Sequence, residues 1–265
     1  MRFLTCLISL SGFFSVAQVA AVKKIKEIKL QSKVSTITVD RLGGFYTVSD
    51  CKIEQFSPEG ELQKTFSRDR CNPTELMEAW PLMRIFAYQN YKQQFTLFSS
   101  HLEVVDNLDI DPSYAIEPQL AAPSSDLRHY WILDLDNSIK RISLYTNTVD
   151  IETESLKSIP GKFIFLRDYQ NMLFLLHESQ GIFVLNNLGN LVFKIPTDKI
   201  SYFNFAGEDL YYLKEDRVKF FNIFNKDTYE VKVPIGYKFA IATDEKLILL
   251  KDGKAEINEF KPLKK

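Results

Sequence analysis

The stretch LFLLHESQGIFVLNNLGNLVFKI, Leu173–Ile195, contains a four-residue apolar run, a short polar turn, an alternating run, a second turn and a third run. Short runs of apolar and β-branched residues broken by Gly, Asn and Asp indicate strands joined by tight turns. The same unit begins again at Phe45, Phe95, Tyr130, Leu210 and Leu247, so successive units start 50, 35, 43, 37 and 37 residues apart. Short strands repeated about every 40 residues are typical of the blades of a β-propeller.

Further short strands precede the apolar runs, and we expect them to be the innermost strands, which line the axis of the ring. These candidates are Thr36–Val39, Arg84–Ala87, Phe163–Leu166 and Phe239–Ala242. The sixth unit ends near Phe260 with only three strands, whereas Ile25–Leu30 alternates like an edge strand. Pairing of these two segments would supply a fourth strand and remove an open sheet edge.

The sequence therefore predicts an all-β fold, a six-bladed β-propeller closed by an N-terminal strand in the last blade. Residues 18–265 would form this single domain. Packing between neighbouring blades would bury both faces of each sheet. The alternative is a two-sheet sandwich with an appendage, which requires neither equal spacing nor an incomplete last unit. One stretch outside the strands, Asn72–Ala79, carries helix-start signals and is predicted to be helical.

The overall composition excludes several classes of protein. Apolar residues make up 45% of the chain and charged residues 25%, values close to the globular average. The formal net charge of -1 offers no electrostatic basis for nucleic-acid binding. Three His and three Cys leave little material for a metal or thiol site.

The beginning of the chain has the pattern of a secretory signal. Arg2 precedes the uncharged run Phe3–Ala17, which ends on the small-x-small triplet Ser15-Val16-Ala17. We predict that residues 1–17 are a signal peptide and that the protein is periplasmic or secreted. A buried N-terminal strand or an uncleaved anchor are the alternatives. No later window reaches 18 apolar residues, so we do not expect an integral membrane protein.

Export affects the interpretation of the two remaining cysteines, because exported compartments permit disulfides. A bridge between Cys51 and Cys71 would close a loop of about 20 residues and stabilise the fold by roughly 3 kcal/mol. Two buried or idle thiols are the alternative, and both interpretations stay open at this point.

One blade resembles a known group. The segment VDRLGGFYTVSDCKIEQFSPEGEL, Val39–Leu62, is similar to the blades of NHL- or YncE-type propellers, with an Asp and a Gly before an apolar strand, a polar turn, a strand that ends in Phe, and a later Gly. The resemblance implies a six-bladed propeller fold. Such propellers include ligand binders, protein scaffolds and a few enzymes, so it implies no single activity.

No catalytic, cofactor or phosphate-binding motif is present, and we expect no catalytic residue, no cofactor and no metal site. A lactonase-like hydrolase with a metal on the axis is the alternative function, since Asp and Asn are plentiful. The segment Asp134–Ser138, DLDNS, superficially resembles an oxygen-rich metal loop but reads more simply as a hairpin turn. The histidines His101, His129 and His177 are expected at the surface or in turns.

The long first spacing suggests an insertion, Ser67–Met83, between the first two units. It contains Arg68, Arg70, Met77 and Trp80, residue types that are enriched at protein interfaces, and we predict that these four contact a partner. The alternative is that the insertion covers one mouth of the ring and buries Trp80 and the methionines there.

The hypothesis from sequence is an exported, non-catalytic protein-binding module or scaffold whose partner is another protein of the cell envelope. A sugar binder using Trp80, Tyr130 and Trp131 is a further alternative. The lysines of the early segment and of Lys261–Lys265 would allow peripheral contact with an envelope membrane, although a charged edge strand that prevents self-pairing explains them more simply.

Overall fold

The computed structural model describes residues 22–68, 71–81 and 83–261. Within these residues, 24 β-strands form six antiparallel sheets of four strands, and the sole helical element is one 3-10 turn, Asn90–Lys92. The six sheets stand in a ring, so the chain is a six-bladed β-propeller, as the repeat predicts. The predicted signal peptide, residues 1–17, lies outside the described residues.

Each blade uses four strands in order from the axis to the rim. Blade 1 contains β2 (Thr36–Val39), β3 (Phe45–Val48), β4 (Lys52–Phe56) and β5 (Leu62–Ser67), and blade 2 contains β6 (Leu76–Glu78), β7 (Ile85–Gln89), β8 (Gln94–Phe98) and β9 (Val104–Asp109). Blade 3 contains β10 (Leu120–Pro123), β11 (His129–Leu133), β12 (Ile139–Ser143) and β13 (Val149–Thr153), and blade 4 contains β14 (Phe163–Tyr169), β15 (Met172–His177), β16 (Gly181–Asn186) and β17 (Leu191–Ile195). Blade 5 contains β18 (Asn204–Ala206), β19 (Asp209–Lys214), β20 (Arg217–Asn222) and β21 (Thr228–Lys232), and blade 6 contains β22 (Phe239–Ala242), β23 (Lys246–Lys251), β24 (Lys254–Glu259) and β1 (Lys23–Lys29).

Burial falls from the axis to the rim of each blade. In blade 1, every residue of β2 and β3 is buried, whereas β5 is mostly exposed. The inner strands are covered on both faces by the neighbouring blades, so they hold the apolar runs from which the repeat was recognised. The core of the described residues therefore lies between the blades, where the buried apolar residues form one large and two smaller clusters.

The ring closes as the sequence predicts. Strand β1 pairs antiparallel with β24, from Lys23 opposite Glu259 to Lys29 opposite Lys254. Glu27 forms an ion pair with Lys254 of β24 at 2.8 Å across this junction and another with Lys24 of its own strand at 2.6 Å. Blade 6 thus takes its outermost strand from the beginning of the described chain, and its sheet is completed like the other five.

Blade 2 differs from the sequence prediction. The predicted helix over Asn72–Ala79 is wrong, because Leu76–Glu78 is strand β6, the innermost strand of blade 2. Its pairing with β7 and its complete burial outweigh a weak local preference for helix. The prediction that Arg84–Ala87 is innermost is also wrong, since these residues lead into β7, the second strand of the blade. The apolar run at Phe95 is accordingly the third strand, β8.

This correction removes the apparent insertion. The second strands of the six blades begin at residues 45, 85, 129, 172, 209 and 246, which gives spacings between 37 and 44 residues. The segment Ser67–Met83 therefore holds the end of β5, the link to the next blade and the inner strand β6. The first spacing of 50 residues arose from comparing a second strand with a third strand.

Candidate functional site

One end of the ring carries the turns that join the innermost strand of each blade to the second strand, and we call it the ab mouth. Two cavities of about 410 and 540 Å³ open there. The first cavity is lined mainly by blades 2 to 5, and the second by blades 1, 5 and 6. Arg41, Trp80 and Phe205 line both cavities, so they form the boundary between them.

Trp80 is the central aromatic residue of the ab mouth. It lies two residues after the end of β6, and 42% of its surface is exposed. Its ring meets the ring of Tyr169 edge to face, with centroids 6.5 Å apart. Tyr169 in turn stacks on Phe205 at 4.1 Å and donates a hydrogen bond to the Gly207 carbonyl at 2.7 Å. An ordered aromatic wall therefore supports one edge of Trp80, while the rest of the ring faces solvent.

A buried ion pair forms the floor of the first cavity. The Arg167 Nε atom lies 2.6 Å from the Glu78 Oε2 atom, and the two side chains expose only 6% and 10% of their surface. Arg167 also donates hydrogen bonds to the Asn204 Oδ1 atom and, at 3.3 Å, to the Thr38 hydroxyl. The other Glu78 oxygen accepts the backbone N–H of Trp80 at 2.9 Å. Innermost strands of blades 1, 2, 4 and 5 thus meet in one polar network on the axis.

The charge of this network is fixed by burial and pairing. Burial lowers the pKa of Arg167, but the Glu78 carboxylate together with the Tyr202 and Tyr211 hydroxyls outweighs this effect, so the pKa rises above its ordinary value. Burial raises the pKa of the nearby Tyr202 hydroxyl to about 12, so this group stays neutral at physiological pH. The axis consequently holds a formally neutral ion pair, in which the Glu78 carboxylate is already bound to the Arg167 guanidinium.

Asp168 forms part of the opposite wall of the first cavity. Its carboxylate accepts hydrogen bonds from the hydroxyls of Ser124 and Ser125 and from the Trp131 indole N–H, each at 2.7 Å. Three neutral donors hold it in one orientation. Asp168 is therefore a fixed polar group of the cavity wall.

The four residues predicted to bind a partner have different surroundings. Met77 is completely buried between blades 1 and 2. Arg68 donates to the carbonyl of Asn72 at 2.6 Å and to the Thr74 hydroxyl, contacts that organise the link between the blades. Arg70 lies outside the described residues. Of the three that the structure describes, Trp80 alone lies at the ab mouth with an exposed side chain.

The same link contains a disulfide. Cys51, in the turn after β3, is bonded to Cys71, with Cα atoms 4.2 Å apart. Together with Arg68, whose guanidinium also reaches the Asp50 carbonyl at 3.4 Å, it joins blade 1 to the entry of blade 2.

The other candidate residues from the sequence, in the DLDNS segment and among the histidines, make hydrogen bonds or ion pairs within the fold. Asp134, in the DLDNS segment, accepts the backbone N–H groups of Ile116 and Glu117, both at 2.7 Å. His129 lies between two carboxylates, Asp126 at 2.7 Å and Asp150 at 3.0 Å. His177, expected at the surface or in a turn, is buried against the carbonyl of Pro160. Within residues 22–68, 71–81 and 83–261, no group of three or more His, Cys, Asp or Glu side chains could hold a metal ion.

Sequence reasoning missed Glu78, Arg167 and Asp168. A usable signal was present for two of them, because Arg167 and Asp168 interrupt the apolar run of an inner strand. A charged residue in an inner strand is costly to bury unless it finds a partner of opposite charge. Its partner could not be located, since the strand that carries Glu78 was assigned to a helix.

The described part of the chain contains no helix with the length and apolarity needed to cross a membrane. No protein-family model matches the sequence, and no curated protein matches it either.

Proposed function

We propose that this protein is an exported, non-catalytic β-propeller that acts as a protein-binding module or scaffold in the cell envelope, with its binding site at the ab mouth. Export rests on the signal pattern of residues 1–17. On the resemblance of Val39–Leu62, we also propose that the propeller is of the NHL or YncE-like type.

The observation that carries the proposal is the placement of Trp80. A tryptophan that is supported on one edge, exposed for 42% of its surface and flanked by two cavities has the properties of an interface anchor. Its backbone is held by Glu78, so little conformational freedom would be lost when a partner covers the ring. Loops at the mouth of a rigid ring are also a common place for recognition residues.

The alternative from sequence, a hydrolase with a metal on the axis, has less support. The ion pair of Glu78 and Arg167 occupies the axial floor, so the Glu78 carboxylate is already bound to a guanidinium instead of being open to a metal ion. Native mass measurement of the purified protein in calcium-containing buffer would test this alternative. A stoichiometric bound calcium ion would favour the hydrolase.

The proposal is tested by affinity purification from solubilised cell envelope, followed by mass spectrometry. We expect the protein to recover a specific partner, and we expect Trp80→Ala to reduce that recovery by about tenfold, the effect of losing one interface anchor. Tyr91→Ala is the matched control, because Tyr91 is an exposed aromatic residue in the turn between β7 and β8, at the other end of blade 2. Equal recovery by the folded Trp80→Ala protein, or no partner at all, would refute the proposed site.

A further inference from the structure

The six turns of the ab mouth are not equivalent. In blades 1, 2 and 3, each turn presents an arginine next to a large apolar residue. These pairs are Arg41 and Leu42, Met83 and Arg84, and Leu127 and Arg128, and all six side chains are exposed. In blades 4, 5 and 6, the exposed tips are Gln170 and Asn171, Gly207 and Glu208, and Asp244 and Glu245. One half of the mouth is therefore apolar and basic, and the other half is polar and acidic.

These charges are free to act on a ligand. Among the described residues, the side chains of Arg41, Arg84 and Arg128 make no ion pair or hydrogen bond, and the same holds for Asp244 and Glu245. Among the described residues, the other charged groups that line the two cavities already have partners. Glu78 pairs with Arg167, Glu59 with Lys246, and Asp126 with Arg141 and His129. The division of charge across the mouth thus arises from the unpaired groups.

The apolar tips on the basic half are prominent. Leu42 exposes 70% of its surface, Met83 79% and Leu127 43%. Three large apolar side chains held on separate turns and each flanked by arginine resemble the composition of interface cores, where Arg, Met and aromatic residues are enriched. Trp80 lies on the same half, at the boundary between the cavities.

From this arrangement we infer that the ab mouth recognises one extended segment of a partner protein whose charge is segregated along its length. Acidic and apolar residues of the segment lie over blades 1 to 3, and basic residues lie over blades 4 to 6. The inference rests on the proposed function and adds the chemistry and the direction of the bound segment. Charge complementarity of this kind fixes the register of a partner and excludes the reversed orientation.

Two other occupants match the surface less well. An anionic membrane would be attracted by Arg41, Arg84 and Arg128 but repelled by Glu208, Asp244 and Glu245. A second copy of the ring could match the charges, yet its centre is concave as well, so it would leave the two cavities and the exposed face of Trp80 uncovered. A projecting segment can fill them.

The test begins with selection of a random library of short displayed peptides on the full chain. We expect the enriched peptides to separate acidic and apolar residues from basic residues. The best peptide is then synthesised, and its affinity is measured by fluorescence anisotropy at about 50 mM and about 300 mM salt, because charge recognition weakens as the Debye length shortens.

Charge variants then test the contacts. The triple variant Arg41→Gln, Arg84→Gln, Arg128→Gln is expected to bind the peptide about tenfold or more weakly. The matched control replaces three exposed lysines outside the ab turns, Lys64→Gln, Lys199→Gln and Lys232→Gln, and is expected to stay within about twofold. Replacing the three arginines by Glu should restore binding of a peptide whose acidic residues are changed to Lys.

The outcomes separate this inference from the proposed function. Enriched peptides without charge segregation, or an unchanged affinity in the arginine variant while Trp80→Ala abolishes binding, would overturn the inference and leave the proposed site in place. Peptides whose affinity changes neither in Trp80→Ala nor in the arginine variant would overturn the inference and the proposed site together. Failure to enrich any peptide would also overturn the inference, as would arginine-dependent binding to phosphatidylglycerol vesicles or arginine-dependent dimerisation in analytical ultracentrifugation.

Discussion

Blades 2 and 4 have the same four-stranded plan but use their inner strands differently. In blade 4 the inner strand Phe163–Tyr169 has seven residues and passes to the second strand through the two-residue turn Gln170–Asn171. In blade 2 the inner strand Leu76–Glu78 has three residues, and the chain leaves the sheet until Ile85. The residues released from the ladder build the ab mouth around Trp80. The inner strand of blade 5 is equally short but keeps the two-residue turn Gly207–Glu208, so the longer connection from β6 to β7 is what gives this regular ring an irregular binding surface.

The two blades also differ in the interactions that hold their inner strands in place. A short strand provides few ladder hydrogen bonds, and blade 2 has additional links on each side of it. The disulfide of Cys51 and Cys71 and the contacts of Arg68 precede the strand, and the ion pair of Glu78 with Arg167 fixes its last residue. Arg167 belongs to blade 4, so the regular blade helps to hold the irregular one.

The largest expected effect comes from breaking this ion pair. Arg167→Leu leaves the Glu78 carboxylate buried without its partner, and we expect the free energy of unfolding to fall by about 3–5 kcal/mol in urea denaturation. The double variant Arg167→Leu, Glu78→Leu should recover most of that loss, apart from about 1 kcal/mol for the Trp80 N–H that loses its acceptor. A single variant as stable as the wild type would show that the pair does not connect the two blades.

A smaller effect is expected from the disulfide. Cys51→Ser combined with Cys71→Ser opens a loop with a sequence separation of 20 residues and should lower the free energy of unfolding by about 3 kcal/mol. Hydrogen exchange should rise first in the Leu76–Glu78 strand and stay low in Phe163–Tyr169, because the lost restraint lies at the entry to blade 2. Equal increases in both blades would contradict a local role, and the unreduced wild-type protein is the control.

The same comparison explains how far sequence reasoning reached. The ring, the number of blades and the closing strand could be predicted because long buried strands such as Phe163–Tyr169 leave an unmistakable apolar run. Strand Leu76–Glu78 could not, since three residues are too few to show a period and the preceding Pro73 and Glu75 imitate a helix start. Trp80 was predicted as a contact residue from its type alone. The cavities beside it depend on turns from five other blades, which only the closed ring brings together.

The smallest expected effect concerns the tight turn of blade 4. Gln170 and Asn171 both have positive φ angles, 51° and 58°, a conformation that glycine adopts without steric cost. Asn171→Gly is therefore expected to raise the free energy of unfolding by about 0.5 kcal/mol in the same urea assay. In blade 2 the change Asn107→Gly, within strand β9, should instead lower it by about the same amount. If Asn171→Gly and Asn107→Gly changed the free energy of unfolding in the same direction, the backbone conformation of the turn would not explain the effect.

The pairing of β1 with β24 has a consequence for the order in which the molecule can be assembled. Blades 1 to 5 consist of consecutive strands, so each can form from a local stretch of chain, but the sixth must wait until residue 23 meets residue 259. This contact has the largest sequence separation in the sheet pairings, and such contacts carry the greatest chain-closure cost during folding. A circular permutant that begins in the link before β22 and joins the two old ends with a short linker would make all six blades contiguous. Its refolding would then no longer require strands from distant segments to pair, and ring closure would depend instead on the packing of blade 5 against blade 6.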